Sequence, residues 1–264
     1  MENNKTAVAL GMFDGVHLGH RAVLRAAFEQ KKQGLIPCAF TFPPESTANK
    51  GAAGYIYSES EKSLLLSRDC GIERVFSPRF EDICGMDGGC FAQDVLCGEM
   101  NAAFVCCGRD FRFGRGASCG TEELSSFGEK YGFTVQTVED VFCDGERVSS
   151  TAVRQLLAEG ELDRVNAMLG RSYIIAKEVA HGAQLGRTIG FPTANQLFDD
   201  GQLVPKYGGA PLAETYIHGF SGDLYGSPLT VELCAFIRPE KKFGSLDKLK
   251  EQINADIASA INIL

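Results

Sequence analysis

The stretch Gly11–Arg21, GMFDGVHLGHR, joins a short apolar run to a segment with helical periodicity. The run before it, Thr6–Gly11, predicts a buried β-strand. The segment after it, His20–Lys32, places apolar residues on one side of a helix that ends at Gly34. A strand, a glycine-containing loop and a helix in this order are typical of an open α/β sheet, where ligands bind beyond the carboxyl ends of the strands.

This loop carries groups that suit a nucleotide phosphate. The helix N-terminus that follows offers N–H groups without intrahelical partners and a partial positive charge. Gly11, Gly15 and Gly19 allow the backbone to approach a ligand closely. His17 and His20, two of the four histidines in the chain, add imidazoles that can donate to phosphate oxygens. A glycine-rich turn alone would be only a turn, but the strand–loop–helix context and the H-x-G-H spacing favour a phosphate site.

The rest of the chain predicts two domains, residues 1–170 and 171–264. The first alternates strand and helix patterns, which predicts a mostly parallel sheet covered on both faces. The second has two predicted strands with no helix between them, and a closing helix. The further predicted strands are Leu35–Phe42, Ile72–Phe76, Ala102–Cys107, Phe133–Glu139, Arg171–Val179 and Leu229–Ile237. The further predicted helices are one that begins at a capping box from Ser58 to Glu61, then Phe91–Met100, Thr121–Tyr131, Ala152–Ala158, Leu162–Leu169 and Leu246–Ile261.

Composition argues against several classes of protein. With 44% apolar residues, the 264-residue chain has enough apolar side chains for a packed core. Its net charge of −8 argues against a general nucleic-acid binder, which carries a basic surface. No apolar run reaches the length of a membrane span, and the first residues lack the order of a signal peptide. We therefore expect a cytoplasmic monomer or weak oligomer that binds small molecules and neither nucleic acid nor a membrane.

Ten cysteines raise the question of disulfide bonds and zinc sites. None forms a C-x-x-C pair, the short spacing that zinc ligands favour. Cys106 and Cys107 are adjacent in a predicted buried strand. We expect the cysteines to be small buried hydrophobic side chains together with a few exposed thiols.

Three motifs in the first domain resemble one family. The H-x-G-H spacing resembles the nucleotidylyltransferase superfamily, and the longer string Gly11–Arg21 resembles the signature of the bacterial bifunctional riboflavin kinase/FMN adenylyltransferases, also called FAD synthetases. Gly108–Gly114, GRDFRFG, resembles the G-x-D-F-x-F-G loop of that family. Ser149–Arg154, SSTAVR, resembles its S-S-T-x-x-R motif at a helix start. Three motifs in the same order over about 140 residues make chance a poor explanation.

The resemblance implies a Rossmann-like nucleotidylyltransferase domain that transfers AMP from ATP to FMN, giving FAD and pyrophosphate. The FMN phosphate would attack the α-phosphorus in line, with His17 and His20 stabilising the charge that develops and Mg²⁺ neutralising the leaving group. The residues that it implies for ATP binding in this domain are Gly11, Phe13, Gly15, Gly19, Asp110, Ser149, Ser150, Thr151 and Arg154.

From the residues alone, parts of these motifs allow two interpretations. Ser149–Thr151 either caps a helix or binds phosphate, and Arg154, one turn further on, can reach the same phosphates. Asp110 either binds the nucleotide or braces its loop, and the phenylalanines beside it either pack or border a cleft. One departure from the family is Thr41–Glu45, TFPPE, where a T-F-D-P-H-P type string is usual. We expect altered flavin contacts or loop closure there, with activity retained.

The second domain also resembles this family. His181–Asn195, HGAQLGRTIGFPTAN, resembles the riboflavin kinase signature, which implies a small β-barrel with a C-terminal helix. Glu214, in the string ETYI, matches the family's presumed general base for the riboflavin 5′-hydroxyl. The resemblance also implies a flap over ATP and a Mg²⁺ site, formed respectively by Gly182, Gly186 and Arg187 and by Thr193 and Asn195.

This domain lacks a segment that the family carries. Family members have extra strands between the K-Y-G string and the E-T-x-I strand, whereas here Lys206–Gly209 runs almost at once into Ala210–Glu214. A barrel without interior strands exposes edges and loses core, so we predict an incomplete barrel, truncated near residues 208–210, with weak or absent kinase activity.

The predicted role is FAD biosynthesis: FMN adenylylation, with riboflavin phosphorylation if the shortened domain functions. The alternatives are an adenylyltransferase alone or with another acceptor, and a non-catalytic flavin- or nucleotide-binding regulatory protein.

Overall fold

A computed structural model describes residues 5–47, 54–182, 185–205 and 212–263. The chain divides into two compact units, Met1–Arg154 with Met168–Gly170, and Gln155–Ala167 with Arg171–Leu264. The domain limits of 1–170 and 171–264 stay a prediction. The predicted truncation near residues 208–210 lies outside the described residues, as do positions 183 and 184 of the kinase motif.

Five parallel strands form the sheet of the first unit: β1, Thr6–Leu10; β2, Ile36–Phe40; β3, Arg74–Phe76; β4, Ala102–Gly108; and β5, Thr134–Val138. Their order in the sheet is β3-β2-β1-β4-β5, which confirms the predicted parallel α/β arrangement. Because the chain adds strands on one side of β1 and then on the other, a topological switch point lies between the carboxyl ends of β1 and β4.

Helices alternate with these strands. The predicted capping box is present, since Ser58 Oγ accepts a hydrogen bond from the Glu61 N–H at 3.4 Å and Glu61 Oε2 accepts one from the Ser58 N–H at 3.0 Å. The helices are α1, Leu18–Glu29, followed by a 3₁₀ turn, Gln30–Gln33; α2, Pro44–Thr47; α3, Glu59–Arg68; α4, Phe80–Ile83; α5, Gly88–Cys90, followed by a π-helical segment, Phe91–Glu99; a 3₁₀ turn, Arg115–Ala117; α6, Thr121–Tyr131; α7, Ser150–Glu159; and α8, Leu162–Leu169. A hairpin of β6, Phe142–Cys143, and β7, Glu146–Arg147, lies between α6 and α7 in the chain.

Both faces of the sheet are covered, as predicted, because side chains alternate across each strand. On one face, Val8 of β1 and Val105 of β4 pack in a buried cluster with Leu124 of α6. On the other face, Cys106 of β4 lies against α1, where its Sγ donates to the carbonyl of Val23 at 3.3 Å. The packing on both faces fixes the two elements, β1 and α1, that flank the histidine-containing loop.

The second unit contains two small antiparallel pairs of strands. Its strands are β8, Tyr173–Glu178; β9, Thr193–Leu197; β10, Leu212–Tyr216; and β11, Pro228–Leu233. β8 pairs with β11 and β9 with β10, both antiparallel. The buried amide of Gln196 in β9 donates to the carbonyls of Lys177 and Leu229, at 2.9 and 2.7 Å, and so links the two pairs of strands. Closure of these strands into a barrel stays a prediction.

Two further helices belong to this unit, α9, Leu185–Ile189, and α10, Leu246–Ile263. The prediction that no helix lies between the two outer strands is wrong, since α9 forms on the kinase motif. A helix of five residues is too short to show apolar periodicity in the sequence. α10 confirms the predicted closing helix, although none of its residues is buried. In the part of the chain that is described, no helix combines the length and apolarity that crossing a membrane requires.

The cysteines have the environments that the sequence predicts. Cys38, Cys106 and Cys107 are buried, whereas Cys84 and others are exposed. Burial raises the pKa of the Cys38 thiol to about 11 and that of the Cys107 thiol to about 12. Burial raises the pKa of Cys106 as well.

Candidate active site

A cavity of about 710 Å³ lies at the carboxyl edge of the parallel sheet. Its lining includes the loops after β1, β4 and β5, the start of α7 and residues around α4, so the cavity lies at the switch point of the sheet. Gly15 and Thr151 were predicted to bind ATP but are not lining residues. The predicted residues that do line the cavity are Gly11, Phe13, His17, Gly19, His20, Asp110, Ser149, Ser150 and Arg154.

The two histidines of the H-x-G-H motif lie together at the N-terminus of α1. Their rings stack with centroids 3.6 Å apart and planes 15° apart. His17 is the N-cap of the helix, since its Nδ1 accepts a hydrogen bond from the His20 N–H at 3.2 Å. Because Nδ1 accepts, the proton of the neutral ring is on Nε2, which is then the nitrogen that can donate to a ligand. The Phe13 ring meets the His20 ring edge-on, with centroids 5.4 Å apart.

The backbone of the loop that carries these histidines is strained. Phe13 and Val16 have φ values of 50° and 43°, in the left-handed region that a β-branched residue such as valine rarely adopts. Both side chains are fully buried, and this packing holds the strained conformation. Gly15 has φ of 89°, and a Cβ there would lie 2.8 Å from Ile56 Cδ1, so the position admits only glycine without rearrangement. Gly15 therefore shapes the loop without lining the cavity.

Asp14, which the sequence-based site did not include, connects this loop to α7. Its carboxylate is almost buried, and Oδ2 accepts hydrogen bonds from Arg154 Nη2 at 2.7 Å and Nε at 3.1 Å. The other oxygen, Oδ1, accepts from the Ile56 N–H at 2.8 Å. Ser150 Oγ donates to the main-chain carbonyl of Asp14 at 2.8 Å. The S-S-T-x-x-R motif is thus bound to the H-x-G-H loop through the side chain and the backbone of one residue.

A second charged cluster lies on the cavity wall after β4 and β5. Arg147 Nη2 is 2.7 Å from Asp110 Oδ2 and 2.7 Å from Asp140 Oδ1. The hydrogen bonds to Asp140 and, to a smaller extent, to Asp110 raise the pKa of Arg147, so the guanidinium stays protonated. Asp110 thus makes an ion pair with Arg147 and also lines the cavity, so both of its sequence-based interpretations stay predictions. Arg147 itself was not predicted; a basic residue two positions before the serines of S-S-T-x-x-R was the available signal.

Part of the cavity lining is apolar. The Phe111 ring stacks on Phe113 with centroids 5.7 Å apart. Phe113 belongs to the buried core cluster, whereas Phe111 is only partly buried and packs against that cluster. Phe113 therefore packs in the core, and Phe111 borders the cavity. The side chains that form the apolar lining include Phe42, Phe80, Ile83, Met86 and Phe111.

The string Thr41–Glu45, which departs from the family pattern, is anchored beside this apolar lining. Thr41 Oγ1 donates to the carbonyl of Met12 at 2.8 Å, which ties the string to the loop after β1. Lys62 of α3, 1% exposed, donates from Nζ to the carbonyl of Phe42. Burial lowers the pKa of Lys62, and the contacts of its Nζ offset the cost of burying it.

Three residues predicted for the kinase site lie side by side on β9 and β10. Glu214 is exposed and is the direct cross-strand partner of Asn195, and Thr193 lies two residues from Asn195 on the same strand face. Asn195 is 6% exposed, and its buried Oδ1 has no hydrogen-bond partner among the described residues. Gly182 packs so closely on the Asn195 amide that a side chain there would collide with it.

The remaining flap residues lie on α9. A Cβ at Gly186 would collide with the carbonyl oxygen of Phe191, so the helix packs closely on the chain that follows it. Arg187 is exposed. The structure places Gly186 and Arg187 on the short helix next to β9, and Gly182 directly against the Asn195 side chain.

Comparison with known families gives separate matches for the two parts of the chain. A family model described as FAD synthetase matches residues 1–152. A second, described as riboflavin kinase, matches residues 169–210 and 205–264. The parallel sheet and all the residues that line the cavity except Arg154 fall within the first match, and the paired strands of the second unit fall within the second.

Curated relatives align along almost the whole chain. The bifunctional riboflavin kinase/FMN adenylyltransferase of Escherichia coli strain K12 is 34% identical over 286 aligned positions, covering 96% of this chain and 91% of that protein. Proteins of the same name from Haemophilus influenzae and Pseudomonas fluorescens are 30% and 31% identical, over 96% and 98% of this chain and 92% and 93% of their own. A crystal structure described as a macrolide-efflux protein from Streptococcus pneumoniae has a TM-score of 0.79 at 25% identity, covering 98% of this chain and 96% of that one.

Proposed function

This chain belongs to the bifunctional riboflavin kinase/FMN adenylyltransferase family, and from that membership we propose that its first unit makes FAD by transferring AMP from ATP to FMN. The observation that supports this most directly is the stacked pair of His17 and His20 at the N-terminus of α1, on the wall of the cavity. Two imidazoles at the positive end of a helix dipole suit the triphosphate of ATP.

The reaction is an in-line displacement at the α-phosphorus of ATP. A phosphate oxygen of FMN forms the new P–O bond while the bond to the bridging oxygen breaks, and pyrophosphate leaves with that electron pair. The attacking oxygen is already anionic, so no strong base is needed, and no covalent enzyme intermediate forms. Because charge spreads over the phosphate oxygens, catalysis rests on positioning and electrostatic stabilisation.

The cavity offers suitable groups for both substrates. His17 would donate from Nε2 to a phosphate oxygen, and His20 and Arg154 would bind the same phosphates, while the Ser150 hydroxyl stays bound to the Asp14 carbonyl. The N-terminus of α7 adds a second helix dipole to that of α1. The apolar lining, with Phe111 on its border, would take the isoalloxazine ring of FMN, since flat ligands bind between apolar side chains.

Magnesium fits the residues of the second unit as a partner of ATP phosphates. The buried Asn195 Oδ1, which lacks a hydrogen-bond partner within the described residues, and the Thr193 hydroxyl are hard oxygen ligands of the kind that Mg²⁺ prefers. Across the residues that the structure describes, no group of three or more His, Cys, Asp or Glu side chains could hold a metal. We therefore expect each ion to be bound largely by substrate phosphates, where it would neutralise their charge.

We also propose that riboflavin phosphorylation by the second unit is weak or absent. Glu214 and Asn195 are cross-strand neighbours, an arrangement that would bring the proposed base next to the proposed metal ligand. The alignment with the Escherichia coli relative spans 286 positions against 264 residues here, so at least 22 of its positions have no counterpart in this chain. The two stretches that match riboflavin kinase meet at residues 205–210, between β9 and β10. Both observations support a missing internal segment, and exposed strand edges would weaken the domain.

Both proposals are tested by one assay with two acceptors. The protein is incubated with ATP, Mg²⁺ and either FMN or riboflavin, and the flavins are separated by chromatography. FMN should be converted to FAD, and riboflavin should give little FMN. Flavin binding without FAD formation would favour a regulatory protein, and AMP transfer only to another acceptor would favour a related adenylyltransferase. Conversion of riboflavin as fast as that of FMN would overturn the second proposal.

A further inference from the structure

Asp14 receives hydrogen bonds from three residues in two parts of the chain, Ile56 and helix α7, that are distant from it in sequence. The Ile56 N–H, the Arg154 guanidinium and the Ser150 hydroxyl all donate to it, at distances of 2.7–3.1 Å. Asp14 does not line the cavity, whereas Ser150 and Arg154 do. Its contacts therefore lead from outside the cavity to two side chains on its wall.

We propose that Asp14 is a positioning residue for AMP transfer, which fixes the Arg154 guanidinium in the orientation that the transition state requires. This inference rests on the proposed function of the first unit. It adds to that function a residue that touches neither substrate.

The burial of Asp14 makes its partners obligatory. Its side chain is 10% exposed, and a buried carboxylate is strongly unfavourable unless each oxygen has a partner. The Ile56 N–H partners Oδ1, and Arg154 partners Oδ2 through two donors. Because two donors of the guanidinium bind the same carboxylate oxygen, the carboxylate restricts the orientation of the guanidinium as well as neutralising it.

The geometry of Arg154 leaves one part of its guanidinium for a ligand. Nε and Nη2 are bound to Asp14, while Nη1 has no hydrogen bond among the described residues. Arg154 lines the cavity and is 24% exposed. An arginine held in one orientation loses little further freedom when a phosphate binds, and misplacement of such a group by about 1 Å costs on the order of 100-fold in rate.

Positioning and simple charge attraction predict different kinetics. The Asp14–Arg154 pair is neutral overall, so it adds little to ground-state attraction of ATP. Asp14→Asn keeps an acceptor for the Ile56 N–H but cannot accept from Arg154 through its amide nitrogen. Arg154 would then carry an uncompensated charge in a looser orientation. We expect kcat for FAD formation to fall about 10- to 100-fold, with KM for ATP unchanged or lower.

The test is a double-mutant cycle on the full chain with ATP, Mg²⁺ and FMN. Asp14→Asn, Arg154→Ala and the double variant are compared with wild type, and Arg154→Lys, which keeps the charge but loses the planar fork, serves as a second probe of orientation. Glu29→Gln, in the exposed Arg25–Glu29 pair on α1, is the matched control and should retain wild-type kcat. Thermal unfolding of every variant identifies any that fail to fold.

The double variant should be within about twofold of Arg154→Ala, because Asp14 acts only through Arg154. Arg154→Lys should also lose kcat by at least about 10-fold. The positioning role would be overturned if the fold losses in kcat of the two single variants multiply in the double variant, or if Asp14→Asn keeps wild-type kcat. Either result would leave the proposed function intact. If Asp14→Asn does not fold, Arg154→Lys provides the test, and wild-type kcat in that variant would overturn the positioning role. Absence of FAD with the wild-type protein would overturn both.

Discussion

Replacing His17 separates its part in holding the helix from its part in catalysis. His17 Nδ1 accepts from the His20 N–H and so caps α1, while Nε2 is proposed to donate to a phosphate of ATP. His17→Ala removes both functions. His17→Asn removes only the second, because asparagine is among the preferred N-cap residues and its side-chain oxygen can accept from the same N–H.

The two variants are expected to differ in stability and agree in activity. Loss of an N-cap costs about 1 kcal/mol, which in a unit of this size lowers the unfolding midpoint by roughly 2–4 °C. His17→Ala should show that shift, whereas His17→Asn should unfold within about 1 °C of wild type because its cap remains. Loss of one preorganised donor to developing charge lowers kcat by about 100- to 1,000-fold, roughly 2.7–4 kcal/mol, in both variants.

Calorimetry or circular dichroism gives the midpoints, and chromatography of FAD formed from saturating ATP and FMN gives kcat. Glu29→Gln, at the far end of the same helix, controls for general effects on α1. A His17→Asn protein that makes FAD at the wild-type rate would refute the catalytic role of the ring. An unchanged midpoint in His17→Ala would refute its capping role.

Two other predictions follow from charge and burial. Arg147→Gln leaves the Asp110 and Asp140 carboxylates unneutralised on the cavity wall. Their repulsion of the triphosphate should raise KM for ATP several-fold, and Arg147→Lys should recover part of the lost affinity. An unchanged KM for ATP in Arg147→Gln would contradict this role of Arg147. Burial raises the pKa of Cys106, so at pH 8 its thiol is protonated and shielded. A maleimide should therefore modify exposed Cys84 in the folded protein and Cys106 only after unfolding, as mass spectrometry can check; rapid labelling of Cys106 would refute its burial.

Local sequence patterns account for most of the elements around the cavity. The helix Thr121–Tyr131 has the bounds that the sequence predicts, because Gly120 and Gly132 flank an amphipathic stretch and Gly132 takes the left-handed conformation, with φ of 86°. The strand before the H-x-G-H loop is also predictable, since a short apolar run that ends at a glycine is typical of a buried strand. Where an element was missed, as with α9, it was too short to show a period.

The contacts that assemble the site leave no local pattern. Asp14 and Arg154 are 140 residues apart, and Arg147 and Asp110 are 37 apart. Opposite charges at such separations occur throughout any acidic chain of this length, so nothing in the sequence singles out these pairs. Only the strand order, which brings the loops after β1, β4 and β5 to one edge, makes them neighbours. The family motifs in the sequence therefore indicate which loops carry the site, but not the strand order that brings the loops together or the side chains that contact one another there.

The residues that hold the strained H-x-G-H loop all lie in the first unit, so we expect adenylylation to be independent of the length of the second unit. Phe13 and Val16 adopt a left-handed backbone conformation that costs on the order of 1–3 kcal/mol per residue unless the surroundings hold it. Those surroundings are the buried core, the Ile56 backbone and Arg154, all within the first unit, as are all residues that line the cavity. The strands that we propose are missing from the second unit would contribute neither a wall nor a brace to this site. We therefore expect a shortened kinase domain to affect the supply of FMN and to leave the chemistry that converts FMN to FAD unchanged.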